Sequence, residues 1–430
     1  MSVIRTMYTG VSGLSSNAEA ISTTGDNITN ANTIGFKRSR SNFEDVLARS
    51  VGGGAGDVGI GTRIANVQKM LTQGAMLGTG QATDLAMKGD GFFVVKGNVG
   101  GVAGQFYTRA GQFVIDKDGY LVNQQGLRMQ GYGVDAQGNL RRQVSDVQIP
   151  TAQIPPGATS QVSLVANLAS SATTPTTAFS AANASAGSNF STQVTVYDSL
   201  GQAHAVNVYF RREAGAGAWS WHAVSDGADL TGGTAGTPQE IATGTLAFDT
   251  QGRLQSAATT SSAFNFVNAV QGQAITFNFG DPIGSGGTGL RGMTSYASPS
   301  ATTFIDQNGY ASGSLAGISI GSDGIISGVF SNGLKRTVGQ VLVADFQAPE
   351  EMQRIGGNLW TETAQSGQAM VGEPGSGGRG GIVSGALEQS NVDLAQEFVD
   401  MITYQRGFQA SSRTITTADE MYQEVLSLKR

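Results

Sequence analysis

Apolar residues recur at alternating steps of three and four near both ends of the chain, and at steps of two through much of its middle. Near the N-terminus, Ile4, Met7, Val11, Leu14, Ala18, Ile21 and Ile28 form a stripe that only Gly25 interrupts. Near the C-terminus, Leu394, Phe398, Met401, Phe408, Ile415, Tyr422 and Leu426 keep the same rhythm, with Gln405, Ser412 and Asp419 in the intervening positions. This spacing lays one apolar seam along a helix and is the heptad pattern of coiled coils. Both ends are therefore expected to be amphipathic helices, over 1–30 and 391–430. The other faces of the first carry Ser, Thr, Asn and Gly with few charges, whereas a solvated helix face normally carries Lys and Glu. A lone helix of this length is marginal in water. Each must pack on the other or on a neighbouring molecule, and the shortage of charge points to both.

Between the helices one pattern recurs: FVIDKDGYLV from Phe113, YGVDAQGNLR from Tyr132, TVYDSLGQAH from Thr195, LAFDTQGRLQ from Leu246, TFIDQNGYAS from Thr303 and ISIGSDGIIS from Ile318. Five place Asp at the fourth position and all place Gly at the seventh. Asp accepts hydrogen bonds from amides ahead of it and Gly supplies positive φ where the chain reverses, so each copy is expected to be a β-hairpin. The same logic disposes of two chemical readings. DKDG at 116–119 resembles part of a calcium loop, but no acidic residue closes it, and acids recurring at turns are turn formers rather than a glycosidase pair.

His204 shares parity with Val206, Val208 and Phe210, while His222 alternates with Trp219 and Trp221 and is expected to point the other way. Neither lies near a nucleophile elbow, and HExxH, Walker and strand-led GxGxxG motifs are absent. The expectation is a protein that is not an enzyme and has no catalytic, cofactor-binding or metal site.

Composition sets the outer bounds. The chain has 430 residues, 62 glycines and a net charge of −6, with no Lys between Lys117 and Lys335. No basic face is available to neutralise a phosphate backbone, so nucleic-acid binding is disfavoured. The N-terminus lacks the apolar core of a cleavable signal and no run of 18 apolar residues occurs, so membrane insertion is not expected. Zero Cys excludes disulfides without fixing the compartment.

A composition shift divides the middle. Firm strands such as GFFVV give way near 151 to Ser, Thr, Ala and Gly, and return around Thr303. The reading is α+β: paired terminal helices and a mostly antiparallel all-β body of two domains, the second inserted in the first. The expected order is an N-terminal helix (1–30), an elbow and connecting segment (31–70), β-domain 1 (71–150 and 287–372), the inserted β-domain 2 (151–286), a connecting segment (373–390) and the C-terminal helix (391–430). The low-complexity stretch 169–188 is the expected surface loop.

One segment fits neither linker nor active site: NITNANTIGFKR at 27–38. Asn27, Asn30 and Asn32 can cap the helix end and tolerate left-handed backbone, Gly35 permits a turn, and Phe36 is an apolar anchor followed by Lys37. This segment resembles the signature of bacterial flagellar axial proteins, the rod and hook subunits. Three further stretches resemble the same family: QGAMLGTGQATDLAMKGDGFFVV at 73–95, FYTRAGQFVIDKDGYLVNQQGLRMQGY at 106–132, and 384–430 from SGALEQSNVDL onward. The inserted region makes the chain most similar to the hook-type members.

The resemblance implies a subunit that polymerises with itself into a curved, flexible hollow tube outside the cell, transmitting torque and passing exported subunits. The implied partners are the distal rod, the hook cap, the hook–filament junction proteins and the type III export apparatus, with no cleaved signal peptide. The heptad residues are then subunit-packing positions, and Asn27 to Lys37 the elbow. A distal rod or other axial subunit is the alternative, and an extracellular β-rich enzyme or adhesin a third.

Overall fold

The computed structural model describes residues 2–46, 59–135 and 138–427. Two compact units emerge: Met1–Thr151 with Gly317–Val329 and Lys335–Arg430, and Ala152–Ala316 with Phe330–Leu334. The body is mostly antiparallel β, and the two long helices lie at the ends of the chain.

In the second unit, five antiparallel strands pair in chain order: Phe190–Tyr197, Ala203–Arg212, Ala218–Asp226, Pro238–Phe248 and Leu254–Ser262. Strict alternation explains which face turns inward. Val206, Val208 and Phe210 are buried, as are Trp219, Trp221 and Ala223 on the next strand. They meet Phe264, Phe266, Phe277, Phe279 and Met293 in one core, and each fully buried large side chain contributes about 1.5–3 kcal/mol. A smaller sheet places Gln161–Asn167 between Thr276–Asn278, parallel, and Ala301–Gln307, antiparallel. That last ladder holds residues 287–316 in the second unit, although the composition change at 286 places them in the first domain.

In the first unit, Phe92–Val99 pairs with Val102–Thr108 and Arg128–Val134 at the centre of a larger sheet. Phe92, Tyr107, Phe346, Met352 and Trp360 pack on its face, with the Tyr107 and Phe346 rings edge to face at 4.8 Å. The segment 31–70, expected as a connector, contains an antiparallel ladder of Ser39–Asp45 with Thr62–Lys69. Its polar sequence hides the strands because they pack on a helix through Ser and Thr: Ser16 Oγ donates to the Thr62 carbonyl at 3.1 Å.

Four Asp-turn copies behave as their chemistry demands. Asp116, Asp135, Asp198 and Asp249 each accept the amide four residues ahead, at 2.7–2.9 Å, and Gly119, Gly138, Gly201 and Gly252 have positive φ; residues 136–137 of the second copy lie outside the described residues. The sixth copy turns at Gly324 with Asp323 as acceptor. The fifth is no hairpin: Asp306 lies inside a strand opposite Ser163, because pairing with Gln161–Asn167 overrides the local turn signal. A further copy escaped the Asp pattern by using Asn123, which accepts from Gln125 and Leu127 beside Gly126 at φ 76°.

The low-complexity stretch 169–188 is held in place. Arg211 donates to the carbonyls of Pro175, Thr177 and Gly187, and Phe179 stacks on His222 at 3.8 Å. Both histidines have partners. His222 Nδ1 lies 2.6 Å from Glu240. His204 is buried between Asp198 and Asp229, 3.3 Å from each, and stacks on Phe266.

Candidate functional site

The two terminal helices, α1 (Ser2–Thr29) and α2 (Leu394–Ser427), pack against each other through small residues. A Cβ on Gly10 would come within 2.7 Å of Ile415, one on Gly13 within 2.7 Å of Ser411, and one on Gly407 within 2.6 Å of Asn17. With the buried Ala20, Thr24 and Asn27, Gly10, Gly13 and Asn17 form a stripe at steps of three and four, rotated from the apolar seam. Close approach through small side chains covers little apolar surface, so much of the seam stays open.

Ile4, Val11, Leu394, Phe398, Tyr422 and Leu426 are exposed at 43–53%, and Ala18 is exposed too. Met7, Leu14, Ile21, Ile28, Met401, Phe408 and Ile415 are half-buried. Of α2, Glu397 and Ala418 are the buried residues. Tyr8, Val399, Ile402 and Val425 are also exposed and widen the open apolar surface beyond the seam that strict spacing identifies.

At the base of the pair, the left-handed residue of NITNANTIGFKR is Gly35, at φ 70°, where a Cβ would lie 2.6 Å from the Ala110 amide nitrogen. None of the three Asn has positive φ. Asn30 caps the helix end, its side-chain amide donating to the Asp26 carbonyl at 2.9 Å, and Asn32 is exposed. Asn27 does something different. Inside α1 and buried, it accepts from Ser39 N–H, donates to Ser39 C=O at 2.7 Å, and donates to Glu397 Oε2 at 3.0 Å. Phe36 is buried, with the Arg354 guanidinium 4.7 Å from its ring centre and 5.6 Å from that of Trp360.

The strongest feature follows Phe36. Lys37 is fully buried and donates to the Thr72 carbonyl at 2.7 Å and to Glu388 Oε1 at 2.6 Å. Glu388, also fully buried, accepts from Gly74 N–H at 2.9 Å and meets Arg109 Nη1 at 3.3 Å through Oε2. Its own carbonyl accepts from Gly35 N–H at 2.7 Å. Asn391 continues the clamp, accepting from Arg38 N–H at 2.8 Å and donating to Met70 and Thr72. Burial pushes the Lys37 ammonium below its usual range, opposed by the attraction of Glu388, and acts on Arg109 in the same sense. Buried ions survive only when paired and hydrogen-bonded.

The carboxylates that hold this joint escaped the sequence reading because Lys37 and Glu388 are 351 positions apart. The small-residue stripe was legible, since Gly10, Gly13, Asn17, Ala20, Thr24 and Asn27 have helical spacing. Apolar periodicity alone passes over it.

Paired terminal helices on a β body, joined by this elbow, place the chain among the flagellar axial proteins. Family signatures described as flagella basal body rod protein, flagellar hook protein FlgE/F/G D1 domain, flagellar basal body protein FlaE D2 domain and flagellar basal body rod FlgEFG protein C-terminal match residues 7–37, 86–166, 167–310 and 383–428. The flagellar hook protein FlgE of Borreliella burgdorferi is 34% identical over 99% of this chain and 100% of its own, and that of Treponema pallidum is 35% identical over all of both. The crystal structure of Helicobacter pylori flagellar hook protein FlgE2 shares the fold, with a TM-score of 0.52 at 16% identity over 73% of this chain and 100% of that one. The chain belongs to the flagellar hook protein family and is a structural subunit of the bacterial flagellar hook.

Proposed function

We propose that the subunit polymerises into a curved, flexible hollow tube that transmits torque as a universal joint and passes exported subunits, with the terminal helices in its inner wall and the β units outside. The observation that carries this reading is the open apolar face of the helix pair. Ile4, Val11, Leu394, Phe398, Tyr422 and Leu426 are half exposed in the single subunit, and large apolar side chains left open along both helices mark a protein interface. The heptad residues are then subunit-packing positions and Asn27 to Lys37 the elbow that carries the chain from inner to outer layer.

A bent tube turning about its own axis lengthens and shortens each row of subunits once per turn. Outer contacts must therefore be weak and exchangeable, which suits surfaces rich in Ser, Thr, Gly and Gln because no single contact is costly to break. The role is non-enzymatic. Among the described residues no helix is long and apolar enough to cross a membrane, and a chain without Cys has no disulfide to hinder passage in an unfolded state through a type III apparatus, with no signal peptide cleaved. The distal rod, hook cap and hook–filament junction proteins are its expected neighbours.

Electron microscopy of a strain lacking this gene tests the assignment: basal bodies ending in complete rods without hooks are expected. Truncated rods would instead point to a rod subunit.

A further inference from the structure

We infer that Glu388 is the positioning residue of the elbow: its one carboxylate latches Lys37, Arg109 and the Gly74 N–H, so the elbow closes only together with the docking of the C-terminal strand. Four groups converge on it from three separate stretches of chain. Lys37 and Gly35 come from the elbow, Gly74 from the following segment, and Arg109 from the central sheet. Glu388 is placed by the short ladder of Ala386–Glu388 with Met76–Gly78, and no other carboxylate forms an ion pair with Lys37 or Arg109 among the described residues.

Remove that carboxylate and two cations remain buried, Lys37 with the Thr72 carbonyl and Arg109 against the face of Phe92 at 5.2 Å. A buried charge stripped of its partner is strongly unfavourable, so the elbow would open to hydrate Lys37. Asn391 and Glu397, which hold Arg38 and Asn27, belong to the same C-terminal stretch. Each of these elbow groups thus has a partner in a part of the chain that lies more than 350 residues away, and elbow closure and C-terminal docking become one step. The second unit, which closes its own core, does not depend on it.

Trypsin reports this directly, because Lys37, Arg38 and Arg40 are cleavage sites within the elbow and cleavage tracks the open population. In the full-length monomer, Glu388→Gln should raise cutting at these sites by on the order of a hundredfold, with amide exchange of residues 190–262 unchanged. Adding Lys37→Met removes one orphaned cation, and cutting after Arg38 and Arg40 should fall back towards the wild-type rate. Glu388→Gln cut no faster than wild type, or a double variant cut as fast as the single one, would overturn the latch. Both measurements use the monomer, so they stand or fall independently of the tube proposal.

Discussion

The second unit and the helix pair solve the problem of burial in opposite ways. Trp219, Trp221, Phe210, Phe264 and Phe266 are essentially inaccessible in a core that the unit closes by itself. Among the described residues of α1 and α2 the buried apolar ones are Ala20 and Ala418, while Phe398, Tyr422 and Leu426 stand open. One region is finished as a monomer and the other is not. In the proposed tube, completeness falls where a part must keep its shape under load, and incompleteness where assembly would supply the missing contacts.

This contrast can be broken from either side. The largest effect on the monomer is expected from Trp221→Ala, which should destabilise the second unit by about 3–5 kcal/mol in a denaturant titration and leave the helices unchanged. Gly35→Ala comes next. Its left-handed φ alone costs an L-residue about 1–2 kcal/mol, and the 2.6 Å approach to the Ala110 nitrogen adds to that, so amide exchange in the elbow should accelerate.

Asp198→Asn gives a smaller, pH-dependent loss. Burial pushes the Asp198 carboxyl up, but the N–H of Gln202, the His204 ring and the N–H of Leu200 outweigh it and hold the group below the usual carboxylate range. A carboxyl whose folded pKa is depressed adds stability above its unfolded value near 3.9 and loses it as pH falls through the folded value. The wild-type advantage over Asp198→Asn, about 1–3 kcal/mol at neutral pH, should therefore shrink below about pH 4. The smallest monomer effect belongs to Phe398→Asp, within about 0.5 kcal/mol as at other exposed sites. Yet this variant should abolish tube formation, seen by electron microscopy, because assembly would bury an unpaired charge. Normal tubes from it would erase the distinction between the two regions.

Local chemistry was the legible part of the molecule. Periodicity fixed both helices within a few residues, and Asp-to-Gly spacing identified the hairpins, because each signal lies within ten positions. What escaped was long-range. Asp306 has the local sequence of a turn, yet Gln161–Asn167 captures it as a strand. Asn27, which reads as a helix cap, is instead a buried bridge to Ser39 and Glu397. Lys37 reads as a surface residue, yet it is buried against the Glu388 carboxylate and the Thr72 carbonyl. The elbow's ties to Glu388 and Glu397 lie more than 350 positions away, where no local window reaches.

Hydrogen exchange on the full-length subunit, as monomer and as assembled tube, tests the central contrast most directly. Strands 190–262 should be protected equally in both states, while residues 4–20 and 402–426 should exchange rapidly in the monomer and become protected on assembly. Equal protection of the helices in the two states would contradict the account.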